Sequence, residues 1–165
     1  MEKQKFENGA IDFESDEVKF ELSPTGKPLR VYRKIRQDTN KLIEDFMLLA
    51  NREVAEFVFK SQDVYNKKLG PDAQSVYRIH DAPDTERIQE LAIFLKALGF
   101  DLKNKNGEVT AKDINDLLHQ VKGSPQEELI KTATLRSMAK AVYSTRNIGH
   151  FGLGFKYYAH FTSPI

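Results

Sequence analysis

Apolar positions recur with period 2 over Val18-Lys-Phe-Glu-Leu22 and again over Leu29-Arg-Val-Tyr-Arg-Lys-Ile35. Between them lie the turn formers Ser23-Pro-Thr-Gly-Lys-Pro28, so the pattern predicts a β-hairpin with a longer loop. Ahead of the hairpin, residues 1–17 are polar, with Phe6, Ala10, Ile11 and Phe13 as apolar punctuation. Beyond it the spacing becomes helical. Ile43, Phe46, Met47, Ala50, Val54 and Val58 predict a helix capped by Asp38 and running to about Phe59. Residues 61–75 are polar, are broken by Gly70-Pro71, and predict a loop.

Val76-Tyr-Arg-Ile79 predicts a short strand that stops at His80-Asp-Ala-Pro83. A helix follows, capped by Asp84, striped by Ile88, Leu91, Leu95 and Leu98, and ended by Gly99. Thr110 opens a short helix that carries Ile114, Leu117, Leu118 and Val121 and closes at Gly123. Ser124-Pro-Gln-Glu127 reads as a capping box with proline in the first helical position. Its helix is expected to pass Met138 and end near Tyr143. From Asn147 the texture changes: residues 148–165 hold five aromatics and two histidines and predict an extended tail. Hairpin, helix, strand, three helices and tail together predict an α+β fold. The chain's 165 residues bound it to one modest core, a domain or part of one.

Charge narrows the function classes. There are 25 basic and 24 acidic residues, a net charge of +1. Free-standing nucleic-acid binders usually carry a basic excess, because phosphate neutralisation supplies most of their affinity. If this chain handles RNA, base stacking holds the strand or the basic surface lies elsewhere. The absence of cysteine excludes disulfides and thiolate zinc sites and suits a reducing cytoplasm. No apolar run approaches the ~18 residues of a membrane helix. The start, Met-Glu-Lys-Gln-Lys-Phe6, lacks a signal-peptide core. A soluble chain is expected.

Common catalytic signatures are missing: there is no Walker loop, His-Glu-x-x-His or Gly-x-Ser-x-Gly elbow. Gly149-His-Phe-Gly152-Leu-Gly154 could be a phosphate loop, but that reading needs a strand before it and a helix after it. The alternative is glycines that admit close backbone approach. Asp12, Glu14, Asp16 and Glu17 suggest either a metal site or a solvated acidic edge. Two-metal chemistry needs carboxylates converging on ions ~4 Å apart, which usually takes more than one segment.

Three collinear blocks carry a family resemblance. The first is Gly9-Ala-Ile-Asp-Phe13, continuing through Val18-Lys-Phe20 to Asp38-x-x-Lys41-Leu-Ile-Glu44-Asp-Phe-Met-Leu-Leu-Ala-Asn51. The second is Tyr77-Arg-Ile-His80-Asp-Ala-Pro83. The third joins Leu135-Arg-Ser-Met138, Ala141-Val-Tyr143 and Asn147-Ile-Gly-His150 to Tyr158-Ala-His160-Phe-Thr-Ser-Pro-Ile165. Over residues 9–165 the chain resembles the RNase II/RNase R-type exoribonucleases, the RNB-domain family. The resemblance implies part of an RNB-type catalytic domain, a hairpin and short strands packed with about four helices. It implies processive 3′→5′ hydrolysis of single-stranded RNA to nucleoside monophosphates, with Mg²⁺ and with OB-type RNA-binding domains elsewhere in the parent polypeptide. It also places the family's metal-binding aspartates upstream of Met1 and a phosphate-contacting arginine past Ile165. No catalytic or metal set is therefore expected to be complete here. The alternative is a single-stranded RNA-binding module of an inactive paralogue.

Individual residues carry paired readings. Phe13 matches the family phenylalanine that stacks on a base near the 3′ end, a use of aromatic faces that is blind to sequence; otherwise it is a core residue. Glu44 matches a glutamate beside the RNA and could accept a ribose 2′-OH hydrogen bond, or it pairs internally with Lys41 or Arg78. It shares a helix row with Met47, Leu48, Asn51, Ala55 and Val58. Tyr77, Arg78 and His80 end a strand, where Arg78 could grip a phosphate in bidentate fashion. His80 is either an acid–base partner of Asp81 or a structural histidine. His150, Tyr158 and His160 are expected to line the RNA channel or to support it.

Overall fold

The computed structural model describes residues 9–11, 13, 17–34, 37–69, 74–105 and 107–162. Strand β1 (Glu17–Leu22) pairs antiparallel with β2 (Pro28–Lys34), and Phe20 lies opposite Val31. Helix α1 (Asp38–Lys60) follows, then α2 (Gln62–Leu69), β3 (Tyr77–Ile79), α3 (Thr85–Ala97), α4 (Ala111–Val121), α5 (Glu127–Ser137) and β4 (Val142–Ser144). A single 3-10 turn, Phe151–Leu153, interrupts the tail. The architecture is α+β, with five helices and two short antiparallel strand pairs among the described residues.

The core sits where α3, α4 and α5 meet. Ile88, Leu95, Ile114, Val121 and Ile130 are fully buried there, joined by Leu102 and Met138. The local signals behind these helices hold. The Asp84 carboxylate accepts from the Glu86 N–H at 2.8 Å. Thr110 and Asp113 exchange reciprocal capping bonds, and the Thr110 hydroxyl holds the Asp113 carboxyl below its usual range. Caps of this kind satisfy the first-turn amides that have no partner within the helix.

Elsewhere the structure corrects the sequence reading. Helix α1 is capped by Gln37, which exchanges bonds with Asn40, while Asp38 sits in the first turn. A helix at Gln62–Leu69 replaces the expected loop. A Gln62–Asn66 side-chain bond one turn apart and lysines 67 and 68 at the C-terminal end support a helix with no apolar stripe. The Ser124 capping box does not form. Glu127 reaches past Ser124 to the amide of Gly123 at 2.7 Å, and the Ser124 hydroxyl is buried without a hydrogen-bond partner. Helix α5 then ends at Ser137, well short of Tyr143. The Thr134 and Ser137 hydroxyls bond to the carbonyls of Ile130 and Thr134, local bonds that favour helix ends. The β-branched and aromatic pair Val142-Tyr143 goes into β4 instead.

Helix α1 buries little of its apolar stripe. Asn51 and Ala55 are buried, yet Ile43 and Phe46 are more than half exposed. Val18, Phe20, Leu29 and Val31 of the hairpin are likewise exposed.

Candidate nucleic-acid interface

The strand β3 is three residues long but is bonded on both edges. β4 pairs with one edge, setting Arg78 opposite Tyr143. On the other edge the Arg78 N–H donates to the Tyr158 carbonyl at 2.9 Å and the His80 N–H to that of Gly149 at 3.0 Å. The tail is therefore not simply extended. It doubles back over β3, and its rings stack edge to face from His80 through His150 and Tyr158 to His160. A pocket of ≈ 760 Å³ opens beside it, lined by Phe59, His80, His150, Phe155 and Tyr157 among others.

His80 is a structural histidine. Its Nε2 donates to the Ala139 carbonyl at 2.9 Å and its Nδ1 accepts from the Gly152 N–H at 3.0 Å. Both ring nitrogens are committed, and Asp81 turns to the Ala82 amide instead. Of the two readings of His80 the structural one stands.

Gly152 is where the three sequence blocks converge. Its carbonyl accepts from the Ile11 N–H at 2.9 Å while its amide meets His80. A Cβ added there would lie 2.9 Å from His80 Nδ1 and 3.1 Å from Cε1. Gly149, at φ +86°, would press a Cβ to 3.0 Å from the Phe155 carbonyl. These glycines permit close packing, which answers the phosphate-loop question. Gly152→Ala is expected to cost about 1–2 kcal/mol through overpacking, read as a shift in the urea midpoint at constant slope.

Tyr158 is buried at 6 % exposure, and its hydroxyl accepts from Asn51 Nδ2 at 3.4 Å. Asn51 itself is 1 % exposed. Its Oδ1 accepts from the Phe161 N–H at 2.9 Å, the Thr162 N–H at 2.8 Å and the Thr162 hydroxyl at 3.0 Å. Tyr77 is 4 % exposed, and burial raises its phenol above the usual value. Tyr77 and Tyr158 are thus buried rings, and Tyr77 keeps an edge on a second pocket of ≈ 410 Å³.

At the surface of this layer the Arg78 guanidinium lies 4.7 Å over the Tyr143 ring. The Tyr143 hydroxyl is 2.7 Å from His160 Nδ1. Burial, and then the Arg78 charge, lower the His160 imidazole below its usual pKa. His150 is lowered further, to about 4, by burial first and then by His80. Its Nδ1 accepts from the Leu153 N–H and caps the 3-10 turn.

Phe13 is half-buried and packs against the main core, on a segment that Asn115 holds through the Ala10 carbonyl at 2.8 Å. Truncating it removes core contact whatever else the ring does. Glu44 is half-buried two turns before Asn51 on the same face of α1. Asp12, Glu14 and Asp16 lie outside the described residues. Among the described residues no group of three or more His, Cys, Asp or Glu could hold a metal ion, and no helix is long and apolar enough to cross a membrane.

Asn51, Tyr143 and Gly152 are the positions that residue-level reasoning passed over. Asn51 did carry a signal, an amide on an otherwise apolar helix row.

A family model described as the RNB domain matches residues 1–165. Ribonuclease R of Escherichia coli K12 is 39% identical over 165 residues, all of this chain and 19% of that protein. Ribonuclease R of Aquifex aeolicus is 36% identical, again over the whole chain and 22% of the relative. The chain thus spans about a fifth of the length of these relatives. Among solved structures, Mycoplasma genitalium RNase R in complex with ribose-methylated single-stranded RNA superposes with a TM-score of 0.86. It is 26% identical and covers 99% of this chain and 24% of that one. The same protein in complex with double-stranded RNA superposes equally well.

Proposed function

Because this chain belongs to the RNB-domain family, we propose that it is part of the catalytic domain of a cytoplasmic, processive 3′→5′ exoribonuclease acting on single-stranded RNA. The observation that carries the reading is the unbroken match of the whole chain to Ribonuclease R relatives. The product is nucleoside monophosphate and the hydrolysis is Mg²⁺-dependent. Among the described residues no metal set is found; it is the family resemblance that puts the metal ligands, like the OB-type RNA-binding domains, elsewhere in the parent polypeptide. No step of hydrolysis is assigned to a residue of this chain. Its part is to hold the strand, through Phe13, Glu44 and the β3–tail layer. The near-neutral charge suits a grip in which base–aromatic contacts, roughly 1–3 kcal/mol each, matter as much as phosphates.

The test compares the full polypeptide with the 165-residue chain on a 5′-labelled oligoadenylate in Mg²⁺. The full polypeptide is expected to shorten the RNA stepwise from its 3′ end, and the isolated chain to leave it intact. Binding without shortening by the full polypeptide would favour the inactive, RNA-binding alternative. Release of mononucleotides by the isolated chain, freed of contaminating nuclease, would overturn the assignment of the metal ligands to other segments.

A further inference from the structure

We propose that Arg78, Tyr143 and His160 form a subsite for one backbone phosphate of single-stranded RNA, in which Arg78 supplies the charge and Tyr143 fixes the geometry. The inference deepens the function proposed above and rests on it. Arg78 and Tyr143 are direct cross-strand partners on β3 and β4, so a rigid pair of strands presents them together. Arg78 is half-buried, its guanidinium lies 4.7 Å from the centre of the Tyr143 ring, and no carboxylate of the described residues pairs with it. A partly desolvated cation without a counter-charge is costly and is usually matched by an anion. A planar guanidinium seated over a ring offers its N–H fork in the bidentate geometry that phosphate oxygens accept.

His160 completes the set. Its ring stands at 83° to that of Tyr143, and the 2.7 Å bond between Tyr143 Oη and His160 Nδ1 fits the neutral tautomer in which the phenol donates. With the phenol donating to Nδ1, the proton resides on Nε2, which bonds to no other described residue. The subsite then offers an arginine fork and one imidazole N–H. Asn51 secures this arrangement from below, because it clamps Tyr158, Phe161 and Thr162 on either side of His160.

The experiment uses the full polypeptide with EDTA present to prevent turnover, titrated with labelled oligoadenylate over a range of NaCl concentrations. Arg78→Gln is expected to weaken binding roughly tenfold at low salt and to flatten the slope of log affinity against log salt by about 0.7, one phosphate contact on a single strand. Tyr143→Phe keeps the ring and loses the hydroxyl; affinity should fall about threefold, the lower end for one neutral hydrogen bond, with the slope unchanged. Arg78→Lys decides the matter if the glutamine variant does not fold. It retains the slope and loses several-fold affinity, and an affinity equal to the parent would overturn the subsite. An unchanged slope in folded Arg78→Gln would overturn it as well. Should that unchanged slope come with a large fall in melting temperature, the guanidinium instead pairs with a carboxylate from another segment. If the parent polypeptide binds no RNA, the proposed function fails first and the subsite with it, a result distinct from either failure at Arg78.

Discussion

Asn51→Ala is expected to destabilise the chain by about 2–4 kcal/mol, because one buried amide satisfies four groups that would lose their partner together. Three donors from Phe161 and Thr162 converge on its Oδ1, and its Nδ2 reaches the Tyr158 hydroxyl. Alanine offers none of these bonds and leaves a gap beneath the tail. The expected signature is local as well as global. Amide exchange at Phe161 and Thr162 should accelerate far more than exchange in α3, α4 or α5, since the Asn51 side chain bonds to tail residues. Asn51→Asp keeps the acceptor and loses the donor, so protection at both amides should largely survive. Equal exchange in the two variants would show that the carbonyl oxygen is not what holds the tail.

The second large effect is on the acid side of the stability curve. The folded protein holds His150 at about 4, whereas an ordinary histidine titrates near 6.5. The unfolded chain therefore takes up a proton in a pH range where the folded chain does not, and stability rises with pH across that range. The contribution is fully present above pH 6.5 and is lost as pH falls towards 4. The full linkage for such a shift is about 3 kcal/mol, and the ring's partial exposure reduces this to about 2 kcal/mol. His160 is lowered too and adds a smaller loss of the same sign. Carboxylates such as Asp113 and Glu127 are held below their usual range and act lower on the scale. The diagnostic quantity is thus the difference between parent and His150→Gln urea stabilities at pH 7 and pH 4.5. That difference should shrink on acidification; a constant difference would mean that His150 is as free to charge in the folded state as in the unfolded one.

What the sequence made legible was local. Asp84 and Thr110 cap helices where they stand, and the stripes through Ile88 and Ile114 point into the core. The alternation around Phe20 and Val31 produced a hairpin. Short-range chemistry misled where two local options competed. Glu127 had a choice between the Ser124 and Gly123 amides, and the positive φ of Gly123 at 79° brings a different N–H within reach. Helix α2 has no apolar stripe to announce it. Periodicity through Ile43 and Phe46 predicted helix α1, yet both side chains are exposed in this chain. The site was legible as a set of residue types rather than as an arrangement. Family resemblance drew attention to His80, His150 and His160, but not to the glycine carbonyl and amide that join Ile11 to His80. Nor did spacing reveal Tyr143, which becomes a partner of Arg78 through strand register alone.

The clamp at Asn51 has a consequence for how the molecule is assembled. Its partners lie 107 to 111 residues further along the chain. The α3–α5 core needs much shorter loops, and contacts of low sequence separation form early because they cost less closure entropy. During synthesis that core can therefore collapse while the Asn51 carbonyl still waits for its donors. The layer that the tail forms over β3 can close only after Thr162 has left the ribosome. A chain stalled a few residues short of that point would carry a folded α3–α5 core and an open layer over β3.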